Sequence, residues 1–179
     1  INRAIAIQVA KRPLVRKRDT WNPMASASTE TQLIDEIALP AIASTLPADP
    51  DGAPNVVMLS SAGVTRPSWS ATKQARLAKA FDIPIVRLNP AGILGKKVRA
   101  EKVLSRCTPN HAIVRPCGLN DDWPSGRPLL TQGDVAVGRT NRDDVAAVLV
   151  ECLDLASARG KCFEMLTLKG YDAPDSLDD

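Results

Sequence analysis

A chain of 179 residues with 44% hydrophobic and 24% charged side chains has the length and balance of one globular domain with a real core, and hardly of two. Aromatics at 3% leave that core to Val, Leu, Ile and Ala, and no apolar run approaches the roughly 20 residues that span a bilayer. A net charge of +3 is too mild to imply a nucleic-acid binder by itself. Four cysteines without CxxC spacing, beside the single His111, argue against a zinc site and for reduced thiols.

The chain opens at Ile1 rather than Met, as a processed or partial product would. "RAIAIQV", Arg3 to Val9, is a short β-like apolar run. "KRPLVRKRDTWNPMASAS" follows without a period and reads as a loop. Its cations Lys11, Arg12, Arg16, Lys17 and Arg18 are a solvated face or a docking stretch for an acidic partner, an RNA or an anionic surface. Trp21, in the same loop, is a candidate partner anchor, and Trp69 and Trp123 also fall in polar, Pro-containing stretches, as anchors or as caps on the core edge. Next, "TETQLIDEIALPAIAST" carries Leu33, Ile34, Ile37, Ala38 and Ile42 on one helical stripe, with Pro40 expected to kink or end it.

"NVVMLSS" is apolar without alternation, as expected of a parallel strand covered on both faces. "SWSATKQARLAKAF" reads as a helix with Ala75, Leu77, Ala78 and Phe81 apolar, and "IPIVRLN" as a strand or connector. "GILGKKVRAEKVLSRC" is helical, with Val98, Val103 and Leu104 inward and its charges outward. "HAIVRPCGL" is a second buried strand, in which His111 reads as structural and Cys117 as an inert thiol. Two short strands are expected around Gly133-Asp134. Then Asn141 caps a helix, with Asp144 three residues on and Val145, Val148, Leu149 and Leu153 as its stripe. "GKCFEMLTL" is a last strand, and Lys169 onward a frayed acidic tail.

The order of strands and helices predicts an α/β fold: a Rossmann-like parallel sheet with flanking helices, truncated on its N-terminal side. Residues 1–30 would hold the first strand and basic loop, 31–168 the α/β domain and 169–179 the tail.

Five stretches, "NVVMLSSAGVTRP", "NPAGILGKKVRAEKVL", "AIVRPCGL", "LLTQGD" and "NRDDVAAVLVECL", resemble, in order and spacing, the C-terminal part of atypical short-chain dehydrogenase/reductases of the NmrA-like NAD(P)-binding group. The resemblance covers about Thr31 to Leu168, and its look is closest to plastid and cyanobacterial members. It implies that Ser60, Ser61 and Ala62 line the nicotinamide side of a cofactor cleft. It implies also that Lys97 reaches the nicotinamide ribose and that the loop Arg115, Pro116, Cys117, Gly118 and Leu119 closes over the ring.

Two departures weigh against a complete enzyme. No G-x-G-x-x-G or G-x-x-G-x-x-G occurs, so the turn that lets backbone N–H groups approach a pyrophosphate is missing. Tyr-x-x-x-Lys is missing too: Ile93 stands four residues before Lys97 and Gly92 four before Lys96, while the only tyrosine is Tyr171. The expectation is therefore a non-catalytic structural or assembly subunit of a larger complex, photosynthetic by the look of its resembling members. It would have no catalytic residue, with NAD(P) bound only if the cleft is intact. The implied partners are protein subunits, with peripheral association to a membrane complex, in the chloroplast stroma or on the stromal side of a thylakoid complex. The alternatives are an NAD(P)H-dependent oxidoreductase whose phosphate-binding segment lies outside this sequence, and an RNA-associated stromal protein resting on the basic run alone.

Overall fold

The computed structural model describes residues 4–6, 34–47, 49 and 52–174. The basic run from Lys11 to Arg18, Trp21 and the acidic end from residue 175 on lie outside them.

The strands are β1 (Ala4–Ala6), β2 (Val56–Leu59), β3 (His111–Pro116), β4 (Gly118–Leu119), β5 (Arg127–Thr131), β6 (Arg139–Thr140) and β7 (Lys161–Leu168). The main sheet runs β1-β2-β3-β7-β5. Its first four strands are parallel, with Ala4 opposite Val56, Val57 opposite Ala112 and Ala112 opposite Lys161. β5 closes the far edge antiparallel to β7, with Leu130 opposite Met165. β4 and β6 form a separate two-stranded parallel ribbon.

Among the described residues the α-helices are α1 (Ile34–Thr45), α2 (Ala71–Arg76), α3 (Ala78–Phe81), α4 (Pro84–Leu88), α5 (Ile93–Cys107) and α6 (Arg142–Glu151). Both faces of the parallel strands are covered, which is why they read as unbroken apolar runs. Val56, Met58 and Ile113 face Leu39 and Ala43 of α1 and Ala100 and Leu104 of α5. Val57, Ala112, Val114, Phe163 and Met165 face Val145, Val148 and Leu149 of α6. Each fully buried Val, Leu or Met contributes roughly 1.5–3 kcal/mol through its removal from water. Asn141 caps α6 as expected, its side chain accepting from the Asp143 N–H at 2.8 Å.

Four sequence expectations are corrected. α1 continues through Pro40, and its inward residues are Leu39 and Ala43, whereas Ile37 is 58% and Ile42 41% exposed. The small Ala43 and Ala100 let α1 approach α5 and the sheet closely, a fit that the Ile37–Ile42 stripe would obstruct. The expected helix over "SWSATKQARLAKAF" breaks at Leu77, and Ala75 and Ala78 lie exposed, while Ala80 is buried. "IPIVRLN" is helix α4: Pro84 starts it with a preset φ, and Asn89 ends it in the left-handed conformation at φ 32°. Finally, α5 does not turn all its charges outward. Lys97 and Glu101, one turn apart, are buried on its inner face, and Val98 and Val103 are only half-buried.

The tail from Lys169 is partly tied down, since the Tyr171 carbonyl accepts from the Arg127 N–H at 3.0 Å. Among the described residues no helix is long and apolar enough to cross a membrane.

Candidate functional site at the strand ends

Past the end of β2 the parallel pairing with β3 continues. Ser60 N–H donates to the Val114 carbonyl at 2.7 Å and Ala62 N–H to the Pro116 carbonyl at 3.0 Å. The "SSAG" and "RPCG" segments thus lie side by side where parallel strands end, the place at which open α/β sheets take their ligands. Cys117 N–H, bonded to the Met165 carbonyl at 2.8 Å, ties the second segment to β7.

Behind this edge lies a buried charged group. Ser60 Oγ donates to Glu101 Oε1 at 2.5 Å. The Arg115 guanidinium grips the same carboxylate with two parallel bonds, Nε to Oε1 at 2.9 Å and Nη2 to Oε2 at 2.6 Å. One turn earlier, Lys97 Nζ donates to the Leu59 carbonyl at 3.3 Å. Burial pulls the Arg115 pKa down, but the hydrogen bond and charge of Glu101 outweigh it and hold the guanidinium above its ordinary value. A bidentate pair with an added hydroxyl donor is the geometry in which two desolvated charges can be accommodated.

The loop that follows is fixed by a second group. The Asp134 carboxylate accepts from Gly63 N–H (2.6 Å), Thr65 N–H (2.7 Å) and Thr65 Oγ1 (2.7 Å). Arg66, fully buried, donates from Nε to the Asp134 carbonyl and from Nη2 to that of Ala136, each at 2.7 Å, and from Nη1 to the Ala80 carbonyl. Asp134 sits at φ 61°, a conformation that Asp tolerates better than bulkier residues. The "TQGD" turn is therefore the clamp on the "SSAG" loop. Glu164, opposite Arg115 in the β3–β7 register, is fully buried and accepts through Oε2 from Thr131 Oγ1 at 3.1 Å and Val135 N–H at 3.2 Å.

Of the residues singled out in the sequence, Ser60, Ser61, Ala62, Lys97, Arg115, Pro116, Cys117 and Gly118 all come to this end of the sheet, but in different settings. Ser60 and Lys97 are buried, with polar atoms engaged by Glu101 and the Leu59 carbonyl. Ser61 is half-exposed, its Oγ donating to the Ala62 carbonyl at 3.0 Å, and Gly118 is exposed on β4. Ala62 and Cys117 pack together with Ala136. Burial pushes the Cys117 thiol up to about 11, against the opposing pull of Arg66, so at neutral pH it is not a thiolate. His111 is structural: Nδ1 donates to the Thr108 carbonyl at 2.7 Å, and Nε2 lies 3.1 Å from Ser105 Oγ. Trp69, 8% exposed with Lys73 Nζ 4.2 Å from its ring centroid, and Trp123, donating to the Thr167 carbonyl at 3.1 Å, cap the core edge.

Sequence reading missed Glu101, Arg66, Asp134 and Glu164. The available signals were Glu101 one turn after Lys97, and an Asp following Gly133 in a turn. Among the described residues no three His, Cys, Asp or Glu side chains stand together as a metal site would require.

A parallel, helix-covered sheet with its loops and buried charges gathered at the strand ends is the framework of a dinucleotide-binding protein. The family model for NAD(P)H-binding proteins matches residues 24–155, and the chain belongs to that family. The resemblance to the atypical short-chain dehydrogenase/reductases is thereby borne out. Over 68 residues, 37% of this chain, it is 41% identical to an uncharacterized chloroplast protein of Arabidopsis thaliana, of whose length it spans 24%. A Bacillus halodurans protein assigned as an NAD-dependent epimerase/dehydratase superposes on 97% of this chain and 66% of its own, with a TM-score of 0.60 and 21% identity. A Veillonella parvula short-chain dehydrogenase/reductase in complex with NADP shares 19% identity over 68% of this chain and 55% of its own, with a TM-score of 0.45.

The residues present fit one end of such a cofactor. The half-exposed Ser61 hydroxyl is of a kind that suits a nicotinamide ribose, whereas Lys97 is 5% exposed, with its ammonium on the Leu59 carbonyl at the end of β2. The N–H groups of Gly63 and Thr65 are already bound to Asp134, so this loop offers no cradle for the pyrophosphate.

Proposed function

We propose that the chain is the nicotinamide-side portion of an NAD(P)(H)-dependent oxidoreductase of the short-chain dehydrogenase type. The observation that carries this reading is the continued β2–β3 pairing through Ala62 and Pro116, which sets the two loops side by side at the strand ends. The family match supports it. Ser61 would orient the nicotinamide ribose, Lys97 would hold the end of β2 behind it through the Leu59 carbonyl, and the segment from Pro116 to Gly118 would wall the ring. The bound dinucleotide would supply hydride chemistry; this chain's residues position it and exclude water. The chloroplast relative favours a plastid setting.

A second reading, the non-catalytic subunit of a photosynthetic assembly, keeps support from one observation. Ser60 and Lys97, the groups nearest a proton-relay position, already bond to Glu101 and the Leu59 carbonyl. Titrating the natural full-length protein with NADPH and NADH, and following nicotinamide fluorescence, separates the two. Saturable binding with enhanced emission is expected. No binding by intact protein would overturn the oxidoreductase reading and favour the assembly subunit.

A further inference from the structure

A groove of about 380 Å³ runs down the flank of α5 from Thr65, in the loop that follows β2, toward Arg106. Its floor is Ile113 and Cys162, which face each other in the β3–β7 register, with Val98 at one side. Arg115 and Glu101 also line it. Its rim carries Lys102 and Arg106, which with Val98 recur every four residues and so share one side of the helix. Both cations are exposed, and neither enters an ion pair among the described residues.

The charge balance of the lining is lopsided. Three cations, Lys102, Arg106 and Arg115, stand against one anion, Glu101, and that anion is already occupied by Arg115 and Ser60. Glu101 engages Nε and Nη2 of Arg115; Nη1 makes no hydrogen bond among the described residues. The guanidinium is held rigidly, is 12% exposed, and retains donor capacity beside an apolar floor. A volume in the range of small-molecule sites, an apolar floor, one fixed cation and two exposed ones at the rim define a ligand by chemistry.

We propose that this groove binds a small organic carboxylate with an apolar body, its carboxylate meeting Arg115 and the Lys102–Arg106 rim and its body lying on Ile113, Cys162 and Val98. The groove adjoins the strand-end cleft through Thr65, Glu101 and Arg115, but its lining includes neither Ser61 nor Cys117, so it does not depend on a dinucleotide being bound. Glu101 is the shared wall: through Ser60 it touches the cleft, and through Arg115 the groove.

The test uses the full chain with phenylbutyrate as probe, phenylbutanol as its neutral counterpart and inorganic phosphate as a bare anion. Binding is followed by calorimetry and by amide shifts in heteronuclear NMR spectra. The expected result is saturable, single-site binding of phenylbutyrate, with shifts centred on Ile113 and Cys162 and a preference over the alcohol of roughly tenfold, the size of one charge-assisted hydrogen bond. Lys102→Glu with Arg106→Glu, both exposed, should erase that preference while the protein stays folded. Val98→Trp should fill the groove and remove binding of both probes. Absence of saturable binding, equal affinity for the alcohol, or displacement by phosphate at matched concentration would each overturn the proposal. Full mutual displacement with NADPH would assign the groove to the cofactor cleft and overturn it as a site for a second ligand, whereas failure of NADPH to bind at all would strike only the cofactor reading.

Discussion

Ser60 and Glu101, 41 residues apart in sequence, meet through a 2.5 Å hydrogen bond with both residues buried. That contact, and the two bonds from Arg115 to the same carboxylate, pin α5 to the ends of β2 and β3. Removing one partner of such a group leaves the other charge desolvated and unpaired. Glu101→Ala is expected to cost about 3–5 kcal/mol of folding stability, whereas Glu101→Leu combined with Arg115→Met should cost clearly less than the sum of the single changes. Urea denaturation of the two single variants and the double variant completes the cycle. Additive losses would show that the pair is not coupled.

The cysteines divide by exposure. Cys107 is exposed, Cys117 and Cys152 are buried, and Cys162 is half-buried. In the folded protein, Ellman's reagent at pH 8 should therefore react fast with Cys107, more slowly with the half-buried Cys162, and with Cys117 and Cys152 only after unfolding. Fast modification of Cys117 would contradict the packing of the "RPCG" segment.

The same thiols set a pH dependence. Burial raises Cys117 from 9.0 to about 11, and Cys152 and Cys162 to about 12. A folded-state pKa above the unfolded value means that the fold prefers the protonated thiol. This contribution is fully present below about pH 9 and is lost as pH rises toward 11–12. Denaturation midpoints measured from pH 8 to 11 should fall, and Cys152→Ala, though less stable at pH 8, should show a shallower fall. An unchanged slope would remove Cys152 from the account.

The elements that sequence reveals are those whose pattern is enforced from two sides. Val56, Val57 and Met58 form one apolar run because α1 and α5 cover one face of β2 and α6 the other. The α6 stripe was legible because a single neighbour covers it. α1 was not, since Leu39 and Ala43 are selected by a close fit to Ala100 that periodicity cannot see. At the site, the serines and the Pro-Cys-Gly loop announced themselves by type. Glu101, Arg66 and Asp134 did not, because an isolated Glu in a helix or an Asp in a turn ordinarily faces water. Their burial follows from partners far along the chain: Asp134 meets Gly63 across 71 residues and Thr65 across 69.

That clamp makes a prediction of its own. In Asp134→Asn the amide NH₂ would face N–H or O–H donors where a carboxylate oxygen now accepts, and Arg66 would lose its counter-charge 3.5 Å away. A loss of about 1–3 kcal/mol is expected from the unsatisfied donors. The loss should be local enough that amide exchange at Gly63 and Thr65 accelerates more than at Val57 or Val114. Uniform acceleration across the sheet would mean that the clamp supports the whole fold rather than the loop.

Adjacent serines should separate structure from cofactor binding. Ser60 Oγ is committed to Glu101, so Ser60→Ala should lower stability by about 1–3 kcal/mol, the cost of a buried charge that loses a donor. Ser61 is half-exposed and bonds only to the neighbouring Ala62 carbonyl among the described residues, so Ser61→Ala should change stability by no more than about 0.5 kcal/mol. Under the proposed function, however, Ser61→Ala should weaken NADPH binding roughly three- to tenfold, as the loss of one ligand hydrogen bond would. Thermal denaturation and NADPH fluorescence titration of both variants read the two effects separately. If Ser61→Ala binds NADPH as tightly as the natural protein, the nicotinamide ribose does not lie against the end of β2.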